Sequence, residues 1–376
     1  MQYHLGFVLE QELGHKTHAL NIASRVAEDP EIVPSWFPLT IWDTEKLLPV
    51  IGKNWTIRSS RRSRDLIRRE LKTKQLSALF FHTQSSTIFS VGLMRRIPSV
   101  ISLDATSINI DEIEEAYNHV ARPGSPIEEL KRLTFRRAFR AAKLLITWNH
   151  WAKNSLINDY GIESEKIHVI DPGVDLGLWS GLGLDRPVNR PRPRILFAGM
   201  DFKRKGGDLL LQIFRDNFRD IAELHILTRV PIPPEPGVHV YTDLTSNDPR
   251  LRRLFGEADL FVLPTLGECS PRVIPEAMAA RLPTISTKVG AIPEMIDEGR
   301  TGYLIAPGDG IALRDAIARL IADPALRRSM GEAGWAEAAA RFDSRRNNDH
   351  LLSLLKGIAR PEPAPTTAGF PAVSIP

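Results

Sequence analysis

One run constrains this chain more than any other: Leu260-Phe-Val-Leu-Pro-Thr-Leu-Gly-Glu-Cys-Ser-Pro-Arg-Val-Ile-Pro-Glu-Ala-Met-Ala-Ala-Arg-Leu-Pro-Thr-Ile-Ser-Thr-Lys-Val-Gly290. Leu260 to Leu263 is a short continuous apolar stretch, the pattern of a parallel strand covered on both faces. Pro264 to Ser270 reads as a loop, and Val273 to Arg281 as a helix with Pro275 in its first turn. Pro283 to Thr287 reads as the next buried strand, closing a βαβ unit. Glu268 in the loop and Glu276 just inside the helix therefore lie outside the carboxyl end of a strand. In doubly wound α/β sheets that is where ligands bind.

The spacing Glu-x7-Glu followed by Ala-Met-Ala, then Gly290-Ala-Ile-Pro-Glu294 and Glu298-Gly-Arg-Thr-Gly-Tyr-Leu304, resembles the signature of family 4 glycosyltransferases. Acids at such spacing also occur because carboxylates favour helix N-termini. Three segments in this order are far more specific. The resemblance implies the α/β GT-B fold, with two Rossmann-like domains facing each other across a cleft. It also implies transfer of a sugar from a nucleotide diphosphate sugar with the anomeric configuration retained.

By the same resemblance, Glu276 binds ribose hydroxyls and Glu268 contacts hydroxyls of the transferred sugar. Cys269, Ser270 and Arg272 line the donor beside them. The family often has Gly-Phe-Gly here, whereas Pro271 offers no amide hydrogen, so donor identity does not carry over. Gly199 ends the first strand of the second half, and Lys205 with Gly206 matches the diphosphate-binding lysine. Met200 stands where the family's arginine usually follows, leaving Arg204 as its substitute. Gly14 is the match for the donor-contacting glycine after the first strand. Asp104 stands where many members carry a histidine near the transferred sugar, and His82 ends a neighbouring strand. These two are the acceptor-side candidates; a turn-capping role for Asp104 weighs equally.

A chain of 376 residues favours two domains over one. Residues 1–175 read as the acceptor domain and 176–194, rich in Gly and Pro, as a linker. Residues 195–342 read as the donor domain. Residues 343–359 form a helix expected to pack back on the first domain, and 360–376 a Pro-rich, disordered tail. A single cysteine, Cys269, excludes an internal disulfide and fits a reducing compartment. The start, Met1-Gln-Tyr-His-Leu-Gly6, lacks the basic region of an export signal, and no apolar span is long enough to cross a membrane. The expected location is cytoplasmic, with a peripheral place at the inner membrane face as a second reading.

That second reading rests on the basic stretch Arg58 to Lys74, which reads first as a solvated helix docked on its sheet. The alternative is a patch facing anionic lipid and a lipid-linked acceptor. No stacking aromatics interleave with these charges, so nucleic acid is not expected. His15 and His18 read as helix-surface histidines without a third metal ligand.

No Asp-x-Asp pair occurs in the chain, so no metal or other cofactor is expected, and Arg204, Lys205 and helix N-termini would carry the leaving-group charge. Three further classes stay open. They are a GT-B epimerase or phosphorylase, a non-catalytic sugar-nucleotide-binding module, and an NAD-dependent oxidoreductase. The last needs a Gly-x-Gly-x-x-Gly that neither half contains.

Overall fold

A computed structural model describes residues 2–11, 13–40, 54–113, 125–179, 181–187, 189–245 and 248–360. The tail read from the sequence lies, from residue 361 onward, outside the described residues.

The first half runs β1 (Tyr3–Glu10), α1 (Leu13–Glu28), β2 (Ile32–Leu39), α2 (Trp55–Glu70), β3 (Ala78–Phe81), α3 (Val91–Met94), β4 (Ser99–Leu103), α4 (Ser107–Glu112), α5 (Pro126–Ala141), β5 (Leu144–Thr147), α6 (His150–Asn158) and β6 (Ile167–Val169). The second half runs α7 (Leu176–Trp179), β7 (Arg194–Ala198), α8 (Gly207–Asn217), β8 (Glu223–Leu227), β9 (Val238–Tyr241), α9 (Pro249–Glu257), β10 (Leu260–Leu263), α10 (Val273–Ala279), β11 (Thr284–Thr287), α11 (Ile292–Met295), β12 (Gly302–Ile305), α12 (Gly310–Ala322), α13 (Pro324–Arg341) and α14 (Ser344–Ile358).

Among the described residues these strands form two parallel six-stranded sheets, ordered β2-β1-β3-β4-β5-β6 and β12-β11-β10-β7-β8-β9. Each is doubly wound. The chain changes direction between β1 and β3 in the first sheet, and between β7 and β10 in the second. A crevice opens at such a switch point. The loops that matter below leave the strands flanking these two points.

Residue alternation explains the layers. Along β1, Leu5, Phe7 and Leu9 point to the face covered by α1 and α14, while Val8 points to the face covered by α2 and α5. The edge strand β2 carries Pro34 and Pro38, which an edge tolerates because a missing amide there breaks no ladder on the open side.

Two chain segments cross between the domains and pair with each other. The Val174 amide donates to the Phe342 carbonyl at 2.7 Å, and the Ser344 amide to the Val174 carbonyl at 2.9 Å. From that crossing α14 returns to the first domain, where Leu351, Leu352 and Leu355 join the core with Ala19 and Ile22 of α1. A second tie comes from Glu294 on α11. Its carboxylate accepts the amides of His150 at 2.7 Å and Trp151 at 2.6 Å. Those are the first two amides of α6, while Asn149 caps the third, that of Ala152, at 2.7 Å. A carboxylate at a helix N-terminus satisfies orphan donors and complements the dipole.

The structure departs from the sequence reading at several places. The first helix begins at Leu13, so Gly14, read as part of the loop after the first strand, sits in its first turn. After β3 a tight turn at Gln84–Ser86 leads into the short α3. The Gly- and Pro-rich linker starts with α7, whose Trp179 is 2% exposed and packs edge-on against Phe255 of the second domain. Apolar burial of one large ring outweighs the local breaker signal. His15 and His18 are not helix-surface residues: His18 is 2% exposed and His15 half-buried. The face of α1 that carries them packs on the sheet.

Glu294→Ala should cost about 1–2 kcal/mol of stability, the range for losing a capping carboxylate. The check is calorimetry beside limited proteolysis: a lower melting temperature and faster cleavage between the domains are expected. An unchanged melt and cleavage pattern would make this tie incidental.

Candidate functional site

The donor-side residues gather at the second switch point. Glu268, on the loop after β10, is 8% exposed, and its Oε1 accepts Lys205 Nζ at 2.6 Å and Arg204 Nη1 at 2.8 Å. Both cations come from the loop after β7. Arg204 also bonds Asp201 at 2.9 Å and the Gly267 carbonyl at 2.5 Å, so its guanidinium bridges the two loops. Burial alone would raise the Glu268 pKa, yet Lys205 and Arg204 together hold it below the ordinary carboxylate value.

Close backbone approach makes this arrangement possible. A Cβ on Gly199 would lie 2.6 Å from Lys205 Cδ, so the lysine stem runs directly over that glycine. A Cβ on Gly290, at φ 53°, would lie 2.0 Å from the Glu268 carbonyl oxygen. The loop after β11 thus braces the Glu268 loop, helped by the Ala291 amide donating to the Cys269 carbonyl at 3.0 Å.

Glu276 has the opposite electrostatics. It is half-buried in the first turn of α10, and its carboxylate makes no hydrogen bond or ion pair among the described residues. Burial raises its pKa to about 7, against the pull of Arg272 and Lys205. Arg272 is turned away from it toward the domain crossing. Its Nη1 donates to Asp171 at 2.8 Å and its Nη2 to the Gly173 carbonyl. Its stem also touches Gly14, whose added Cβ would sit 3.3 Å from Arg272 Cγ. Cys269 and Ser270 are both buried, and the Ser270 hydroxyl has no hydrogen-bond partner among the described residues.

The first domain presents its own carboxylates at the other switch point. Glu10, at the end of β1, accepts the Thr83 hydroxyl at 3.0 Å from the loop after β3. Burial raises the Glu10 pKa, and the charge of Asp104 pushes the same way, against His15 and Thr83. Asp104 is half-buried, and its side chain does not cap the following turn. Thr106 does that, through a capping box with Asn109, which frees the Asp104 carboxylate. Asn149 holds only the Asp104 carbonyl, at 2.8 Å.

His82 is fully buried. Its Nε2 meets His18 Nδ1 at 2.8 Å, and His15 and Trp148 pack around the pair. Burial first, then neighbouring charge, holds His18 and His82 well below the usual histidine range, so both stay neutral near pH 7. His82 is therefore a packed ring, whereas Asp104 and Glu10 are half-buried carboxylates at strand ends. The cleft-side position of Glu10, the contact of Glu294 with α6 and the Arg272–Asp171 pair are absent from the sequence reading. Only the position of Glu10 at the end of the first strand signals it in advance.

Comparison with known proteins is consistent with this geometry. The family model described as "Glycosyltransferase Family 4" matches residues 9–178, and that described as "Glycosyl transferases group 1" matches residues 192–323. The chain belongs to the family 4, group 1 glycosyltransferases.

Among its curated relatives, a D-inositol 3-phosphate glycosyltransferase of Corynebacterium glutamicum is 26% identical over 69% of this chain and 69% of its own length. An MMP alpha-(1->4)-mannosyltransferase of Mycolicibacterium hassiacum is 28% identical over 55% of this chain and 52% of its own. Among solved structures, sucrose-phosphate synthase of Thermosynechococcus elongatus superposes with a TM-score of 0.76 at 16% identity. That match covers 95% of this chain and 99% of the other. Anabaena HepE, solved with UDP and glucose, gives 0.68 at 16% identity over 95% and 100%. These likenesses establish the GT-B fold for this glycosyltransferase.

The raised Glu276 pKa has a thermodynamic consequence. Between the unfolded carboxylate value near 4.3 and about 7, the folded transferase holds a proton the unfolded chain releases. Stability contributed by this group is therefore lost as pH rises through that window. Glu276→Gln should match wild type near pH 4.5 and be about 1–3 kcal/mol more stable at pH 8. Melting temperatures of both proteins at the two pH values check it; a constant difference would contradict the buried, unpaired carboxylate.

Proposed function

We propose that this glycosyltransferase moves a sugar from a nucleotide diphosphate sugar to an acceptor with retention of configuration and without a metal. The observation that carries the reading is the convergence of Lys205, Arg204, Glu268 and Glu276 on one switch point. Lys205 and Arg204 supply positive charge where the diphosphate leaves, stabilising it as the glycosidic bond breaks. Glu268, ionised by those cations, accepts hydrogen bonds from the sugar's hydroxyls. Glu276, with no protein partner, accepts from the ribose. Carboxylates suit paired hydroxyls because both oxygens accept. UDP is the first nucleotide to test, since Anabaena HepE of the same fold was solved with UDP and with UDP-glucose.

On the acceptor side, Asp104 and Glu10 form an acidic pair, which favours an acceptor recognised through hydroxyls over one recognised through phosphate. Asp104 orients the attacking hydroxyl or stabilises positive charge developing at the anomeric carbon. Lys205→Ala and Glu276→Ala should each weaken UDP binding by roughly 1–3 kcal/mol with folding intact. Asp104→Asn should keep wild-type binding and lose most turnover with an identified donor–acceptor pair. Calorimetry and turnover on the same preparations decide it. Wild-type affinity in the first two variants removes the donor site, and wild-type turnover in the third removes Asp104 from the reaction.

We also place the acceptor at an anionic membrane surface. No described helix is long and apolar enough to span a membrane. On α2 and the turn after it, Arg68, Arg69 and Lys72 are exposed and make no ion pair among the described residues. Each such charge contributes about 1 kcal/mol near an anionic leaflet. Co-sedimentation with vesicles containing phosphatidylglycerol should be lost on changing all three to Gln; equal binding of the variant would reject this surface.

A further inference from the structure

We propose that Glu223, His225 and His239, at the edge of the second sheet, form a transition-metal site suited to zinc. The strand register assembles it. His225 of β8 stands directly opposite His239 of β9. Glu223 lies two residues before His225 and so projects from the same face. One ligand atom from each of the three residues lies within 4.8 Å of the others.

The state of His225 singles this group out. The residue is 7% exposed, and its Nδ1 meets the Tyr241 hydroxyl at 3.0 Å. Its Nε2 is buried without a hydrogen-bond partner. With Nδ1 carrying the proton toward Tyr241, the Nε2 lone pair points into the cluster. That is the outer-shell arrangement that orients a metal-bound imidazole. Glu223 Oε2 stands 3.6 Å from Nε2, too far for a hydrogen bond. Two ligands about 2.1 Å from a tetrahedral zinc are separated by about 3.4 Å, close to that gap.

The surrounding charges permit the ion. Arg194 bonds Glu223 at 3.1 Å, but also Glu257 at 2.8 Å, so it keeps a carboxylate when Glu223 turns to a metal. Two imidazoles and one carboxylate fit zinc, and a water completes the tetrahedron. Glu223 begins β8, whereas the donor loops leave the carboxyl ends of β7 and β10. The site is therefore at the opposite end of the domain from the transfer chemistry. Its effect is to tie the edge strand β9 to β8.

The test is calorimetric titration of the full chain, freed of metal by chelator dialysis, with zinc chloride. Cobalt titration is followed by visible absorption. Wild type should bind one saturable equivalent, show a tetrahedral cobalt band and melt higher with zinc. His239→Asn alters an exposed side chain and should lose the band and more than about tenfold in affinity. Tyr241→Phe keeps the ring and removes the hydroxyl; it should lose roughly 10–100-fold. Absence of saturable binding overturns the proposal. So does equal affinity in wild type and His239→Asn, which would move any binding to other histidines such as His15.

Discussion

One buried guanidinium fastens the second domain to the crossing of the chain between the domains. Arg272 belongs to the loop-to-helix segment between Glu268 and Glu276, yet its hydrogen bonds go to Asp171 and to the Gly173 carbonyl. Those residues immediately precede the place where Val174 pairs with Phe342 and Ser344. The segment that carries both Glu268 and Glu276 is thereby fastened to the crossing of the chain. Both partners are buried, so removing either would leave an uncompensated charge. Asn347 bonds the Asp171 carbonyl at 2.9 Å, which adds the start of α14 to the same cluster.

Two carboxylates eight residues apart illustrate how environment assigns roles to like groups. Glu268 and Glu276 are both withdrawn from solvent, which by itself favours the neutral acid. Glu268 meets two cations at hydrogen-bond distance and is ionised. Glu276 feels Arg272 and Lys205 without a hydrogen bond to either, and burial raises its pKa to about 7. The first costs the fold little because its charge is compensated. The second is a buried group whose charge finds no partner among the described residues, the kind of local cost that marks functional sites. The histidines behind the first domain's switch point take a third course: His18 and His82 are deprived of charge by burial and serve as packing.

The βαβ unit from Leu260 to Thr287, the positions of Glu268 and Glu276, and the Lys205–Gly206 junction follow from the chain alone. A buried parallel strand needs an uninterrupted apolar run, and loops at strand ends tolerate the Gly, Pro and charged residues that interrupt it. β8, β9 and α9 are missing from that reading. β8 mixes Glu223 and His225 into an otherwise apolar strand, and β9, with His239 exposed, is too short and too polar to stand out.

What the sequence by itself determined is the β/α alternation around the strongly apolar strands and which carboxylates stand at strand ends, because both are set by patterns within a few residues. What only the tertiary structure decided is which charges meet. Lys205 reaches Glu268 because β7 and β10 are neighbours in the second sheet, and Arg272 turns to Asp171 because the domain crossing lies beside it. Thr106 relieves Asp104 of capping, and α1 buries His18 against His82. Each outcome depends on partners separated by long stretches of chain, and desolvation and pairing at such contacts set the charge state of every group in the cleft.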